Sequence, residues 1–169
     1  MRGLMTAVGA AALVCAAAAG CGSDAPTVAR ADLEKDITTR LSGAGKPPQS
    51  VACRADLEGV VGNTTTCEVV ISETNAIEPV VAVTEVKDTT VSYEMTPALS
   101  QAQLEKSVAE LVSGSVGEDP TGVTCSGGLK GEQGTTVDCS MQLDGEPLDT
   151  VVTVTTVDGL LMNFEVNQA

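Results

Sequence analysis

Chemistry in this 169-residue chain has to start from its six cysteines, at positions 15, 21, 53, 67, 125 and 139, because histidine is absent and Tyr93 is the sole tyrosine. Cys53 with Cys67 and Cys125 with Cys139 form two pairs, each enclosing 13 residues. Four cysteines allow three connectivities, and equal spacing in two places favours a bridge within each pair. Closing a loop of this length stabilises a small domain by about 3 kcal/mol in the chain-entropy account. Redox catalysis would need a close Cys-x-x-Cys pair with a tuned thiolate, and neither pair has that spacing. A zinc centre is disfavoured by the lack of histidine and by the oxidising compartment that bridges require. No metal or cofactor is therefore expected.

Cys21 invites a different reaction. Arg2 precedes an uncharged, alanine-dominated run from Gly3 to Gly20, the layout of a secretion signal. The run ends at Ala18-Ala19-Gly20-Cys21, which resembles the bacterial lipobox. In that motif small residues before a cysteine admit the lipoprotein signal peptidase, and the thiol receives diacylglycerol. Ala18 stands where leucine is usual. Cys15 competes for the role, but Val14 before it is bulky, whereas the polar Gly22-Ser23-Asp24 after Cys21 suits the start of a tether. Acyl chains on both thiol and amine would anchor the protein stably in the bacterial membrane, where one chain is marginal. The alternative is that residues 3–22 stay in place as a membrane-spanning anchor. Either way the remainder lies outside the cytoplasm, lipid-anchored on its extracytoplasmic face in the favoured reading.

Other constellations are missing. Without histidine or a spare thiol, the familiar nucleophile and base pairs cannot be built. No lysine has a serine three positions before it, which removes the Ser-x-x-Lys arrangement. The 23 acidic side chains offer no recognisable catalytic pair. After Gly20 they stand against eight basic ones, a net charge of −15 that repels nucleic acid and bare anionic headgroups. Glu118-Asp119 and Asp144-Gly145-Glu146 fall in expected loops that could hold calcium loosely, but neither has the spacing of a calcium loop. Asn63-Thr64-Thr65 matches a glycosylation sequon and equally the start of a threonine-rich strand. Ala25-Pro26-Thr27 reads as a short tether that could bear sugar. No enzyme is expected.

The elements that hold the cysteines appear when the chain is laid on itself. Ala31-Asp32-Leu33-Glu34-Lys35 matches Ala102-Gln103-Leu104-Glu105-Lys106, and Val51-Ala52-Cys53 matches Val123-Thr124-Cys125. Leu57, Gly59, Gly62, Thr64 and Cys67 match Leu129, Gly131, Gly134, Thr136 and Cys139 at an offset of 72. Val80 to Val86 and Glu94 match Val151 to Val157 and Glu165 at an offset of 71, which requires a one-residue gap in a loop. The chain therefore divides into a signal peptide over 1–20, a lipidated cysteine and tether over 21–27, one repeat domain over 28–95 and a second over 96–169.

Each repeat opens with helical periodicity, Leu33, Ile37 and Leu41 in the first and Leu104, Val108, Leu111 and Val112 in the second. Ser100 and Gln103 predict a capping box for the second helix, whereas Ala29 caps the first poorly. Ser42-Gly43 and Ser113-Gly114 are the expected helix stops. Alternating apolar residues follow: Cys67, Val69 and Ile71 match Cys139, Met141 and Leu143, and Val81 and Val83 match Val152 and Val154. Tyr93 and Phe164 hold one place in the two last strands and are expected in the small cores. Asp158-Gly159, with Lys87-Asp88 in the same place, predicts the last hairpin turn. Leu57 and Leu129 sit in glycine-bounded loops inside the expected bridges, where core packing is favoured over recognition. The fold class is α+β: two tandem small domains, each one helix on a three- to four-stranded antiparallel sheet with one internal disulfide.

This pattern resembles the actinobacterial domain of unknown function family 4333. The residues that carry the resemblance are Leu33-Glu34, Gly45 with Pro48, Ser50-Val51-Ala52-Cys53, Leu57 to Gly62, Thr64 to Cys67, Val81 to Val83 and Tyr93. The second copy departs at Gly122 and in Lys130-Gly131-Glu132-Gln133-Gly134. The resemblance implies a secreted or lipid-anchored setting in actinobacteria and supplies no activity or site. The functional expectation is a non-enzymatic envelope module that binds or scaffolds another envelope protein. A lipid or small-ligand carrier with a pocket between the repeats is the alternative, and a hydrolase ranks last.

Overall fold

The computed structural model describes residues 25–72 and 75–169. The leader, Cys15 and the lipidation candidate Cys21 lie outside them. Among the described residues no helix is long and apolar enough to cross a membrane.

Two units of the same design follow one another. The first holds β1 (Thr27–Val28), α1 (Arg30–Gly43), β2 (Ser50–Cys53), β3 (Leu57–Glu58), β4 (Thr64–Val70), β5 (Ala76–Ile77), β6 (Val80–Lys87) and β7 (Thr90–Thr96). The second holds β8 (Ala98–Leu99), α2 (Gln101–Val116), β9 (Thr121–Cys125), β10 (Leu129–Lys130), β11 (Thr136–Leu143), β12 (Glu146–Asp158) and β13 (Leu161–Gln168). Their antiparallel sheets run β2-β4-β6-β7 and β9-β11-β12-β13, and β1 pairs with β3 as β8 pairs with β10. The fold is α+β, as the change of hydrophobic period in each repeat predicts.

One stripe of each helix enters the core, Leu33, Ile37 and Leu41 from α1 and Leu104, Val108 and Val112 from α2. They meet the alternating inward residues Val69, Val81, Val83, Met141, Val152 and Val154. Each such leucine is stabilised by roughly 1.5–3 kcal/mol relative to exposure. Leu57 and Leu129 are fully buried, so the glycine-bounded loops serve packing. Cys53 faces Cys67 across β2 and β4, and Cys125 faces Cys139 across β9 and β11; both pairs are bridged, at Cα separations of 3.9 and 4.0 Å. Intrachain bridges of this kind mark an extracytoplasmic protein.

Several local expectations change. Helix α2 passes through Ser113-Gly114 and stops at Gly117, whose φ of 81° takes the left-handed conformation. Helix α1 includes Gly43; its left-handed residue is Gly45, where Gly45 N–H donates to Ser42 and Lys46 N–H to Leu41, a Schellman closure. The central residues of the last hairpin turns are Asp88-Thr89 and Gly159-Leu160, one position later than expected, since Lys87 pairs with Thr90 and Asp158 with Leu161. Asp144-Gly145, considered for calcium, is a two-residue hairpin turn with both φ positive. The sequon's Thr65 is buried, and its hydroxyl donates to the Ala55 carbonyl. Asn63 itself is half-buried and lies just before β4.

Candidate binding surface

The repeated Leu-Glu-Lys motif explains itself first. Glu34 Oε1 accepts from the Cys53 N–H at 2.9 Å, and Glu105 Oε1 from the Cys125 N–H at 3.0 Å. Each helix is thereby fastened to the strand that begins its disulfide. In the second repeat this bond and the Gln101 side chain hold the Glu105 carboxyl below its ordinary value. A second shared device is steric. Gly59 N–H donates to Pro26 and Gly131 N–H to Pro97, so close that an added Cβ would stand 2.4 and 2.5 Å from those carbonyl oxygens. These glycines permit close approach of the backbone.

Among the described residues no three histidine, cysteine or acidic side chains are grouped to hold a metal ion. Glu118 and Asp144, from the two loops considered for calcium, do meet. Hydrogen bonding and repulsion between their carboxyls raise the Glu118 pKa, and the pair makes only two ligands. The four repeat cysteines are consumed in bridges. The surface therefore has to be judged by shape, and the two repeats differ most along one side of the helix.

In the first repeat that side is closed by a polar lock. Asp36 accepts from Arg40 Nε at 3.1 Å and from the Tyr93 hydroxyl at 3.0 Å. Partial burial of the phenol, then its bond to this carboxylate, raises the Tyr93 pKa. The matching residues of the second repeat are Ser107, Leu111 and Phe164. Leu111 is therefore not a core residue, as the helical stripe had predicted, but is 45% exposed. Tyr93 and Phe164 both lie half-buried at the core's margin, where a binding surface can use them.

Leu111 and Phe164 are shared by two clefts that together make a trough along α2 and β13. One, of about 410 Å³, continues over Met162 to Ile71 and Ile77 of the first repeat. The other, of about 440 Å³, runs past the 53% exposed Val116 to Leu148 and Val166. Glu110 stands on the wall of the first and Glu165 on that of the second. Leu160, at the last hairpin turn, is buried where the repeats meet and lines clefts on both sides of the junction. Pro79 helps to shape this place. It interrupts the strand that runs unbroken through Thr150 in the second repeat, and Glu78 N–H donates to Ala98 across the boundary.

Sequence periodicity could not separate this trough from a core, because leucine at a helical spacing fits either. The available signal was the paired substitution between copies, from Asp36, Arg40 and Tyr93 to Ser107, Leu111 and Phe164. A family model described as a domain of unknown function (DUF4333) matches residues 10–89 and again residues 89–159. No curated protein shows significant similarity to the chain. No solved structure does either.

Proposed function

The chain belongs to the DUF4333 family, and from that premise we propose that it is a non-enzymatic binding or scaffolding module of an actinobacterial cell envelope, held on the extracytoplasmic face by acyl chains on Cys21. The observation that carries this reading is the open apolar trough of the second repeat, at the place where the first repeat is locked by Asp36. A folded frame retained in both copies, with one side altered in one copy, suits recognition by that side. The two disulfides agree with an extracytoplasmic setting. A photo-crosslinking residue at Leu111 of the full chain in intact cells should capture a discrete envelope protein, and one at Arg40 should not. Equal capture at both, or only neighbours shared with any abundant lipoprotein, would overturn the reading.

A carrier of lipid or another small apolar ligand is the second reading. It is favoured by the cleft at the repeat junction, whose volume of about 410 Å³ falls within the range of ligand pockets. Gentle extraction followed by native mass spectrometry should then reveal a bound lipid. A clean mass of the protein alone counts against it.

A further inference from the structure

Resting on the reading of the trough as a recognition surface, we infer that its occupant is a polypeptide segment. The segment adds as a strand to the free edge of β13, seats alternate apolar side chains beside Leu111 and Phe164, and carries lysine or arginine at its flanks.

Three observations define that occupant. Strand β13 is eight residues long and, among the described residues, has a sheet neighbour on one side only, β12. An edge strand presents a row of backbone donors and acceptors, which a polypeptide satisfies and an acyl chain does not. The trough runs beside this same strand, whose half-buried Met162, Phe164 and Val166 share the face turned to the core, the alternation that a paired strand would follow. An incoming strand would extend that apolar face under α2.

Charge selects the flanks. Residues 97–169 contain eleven acidic and two basic side chains, a net charge of −9, and of the two lysines Lys130 is engaged with Glu132. Residues 25–96 also carry eleven acidic side chains but six basic ones, a net of −5. The repeat with the trough is thus the more acidic, and Glu110 stands on the trough itself. This field attracts a basic segment. It opposes a second copy of this chain, which is equally acidic, and anionic headgroups. Beside the matching edge β7 the cleft is smaller, about 280 Å³, and Arg40, paired with Asp36, stands on its wall next to Leu41 and Met95.

The test uses the full chain, disulfides intact, in phosphatidylcholine vesicles, with empty vesicles as blank. The probe is a fluorescent synthetic peptide of alternating valine and threonine between pairs of lysines. Saturable binding is expected, weakened roughly tenfold or more by L111R, by glutamate in place of the peptide's lysines, and by N-methylation of alternate peptide amides. Because Leu111 is partly exposed, an unchanged unfolding midpoint should show that L111R folds; E110K supplies a second variant that weakens binding without touching the apolar floor. Equal binding of the N-methylated peptide overturns strand addition, and equal binding of the glutamate peptide overturns the charge selection. No peptide binding, with a spin-labelled fatty acid taken up instead in a Leu111-dependent way, replaces the polypeptide with an apolar ligand. Capture of a partner at Leu111 in cells while every peptide fails would sink this inference and leave the binding-module reading standing.

Discussion

The two repeats share a frame and differ in how each detail is satisfied. Helix α1 begins at Ala29, whose side chain cannot cap, and the Arg30 N–H is met instead by Asp56 Oδ1 at 2.8 Å from the loop after β2. Helix α2 begins at Ser100 with a complete capping box. Gly128 stands in the place of Asp56, and a Cβ there would lie 2.5 Å from the Leu99 carbonyl oxygen and 3.3 Å from the Gln101 nitrogen. The acceptor has moved from a distant loop to the helix's own cap. By contrast, the Glu34 and Glu105 fastenings, the bridges and the two tight glycines are the same in both. The side of the helix belongs with the exchanged parts: an Asp36 lock in the first repeat, an apolar trough in the second.

The largest effects are expected where the copies agree. Gly59→Ala and Gly131→Ala each drive a Cβ into a proline carbonyl oxygen that cannot withdraw without moving β1 or β8. Each should cost about 1–3 kcal/mol, by overpacking. Urea unfolding of the two variants checks it: similar losses support an equivalent frame, and a loss in one repeat alone would break the equivalence.

Intermediate effects should fall where the copies exchange solutions. Asp56→Ala and Ser100→Ala should each cost about 1 kcal/mol, the usual value of a helix cap. Ala29→Ser supplies the first helix with a side-chain cap it lacks. In the Asp56→Ala background it should recover much of that loss. Thermal melts of the single and double variants measure the compensation, and simple additivity would show that Asp56 and residue 29 do not serve the same helix end.

Much of this frame was legible in the residues. Cysteine spacing gave the bridges because two identical intervals are difficult to explain otherwise, and the switch from a period near four to a period of two gave one helix and the strands in order. Less of the surface was legible, for physical reasons. The Asp56 cap joins residues 26 apart, and the Glu34 bond to Cys53 joins residues 19 apart, so neither leaves a local pattern. Leu111 has the spacing of a core residue but lies on the shoulder of the helix, where burial depends on what the neighbouring strand presents. Gly43 and Gly114 looked like stops, but glycine is tolerated inside a helix at about 1 kcal/mol, and the backbone turned left-handed only at Gly45 and Gly117.

The smallest effect on stability, and the sharpest on the comparison, should come from moving the trough. Replacing Asp36, Arg40 and Tyr93 together by Ser, Leu and Phe gives the first repeat the side that the second one has. An exposed ion pair contributes about 0–1 kcal/mol, and the loss of the Tyr93 bond is accompanied by removal of its acceptor, so no buried group is left unsatisfied. The unfolding midpoint should therefore move little. Binding should change more: beside the free edge of β7 the new apolar side would complete a second seat, and the lysine-flanked peptide should bind two to a chain where the parent binds one. Stoichiometry by analytical titration decides the point. If it stays at one with the fold intact, these three positions do not make the trough, and the contribution of Ile71 and Ile77, which the first repeat lends to the second at the junction, becomes the difference that matters.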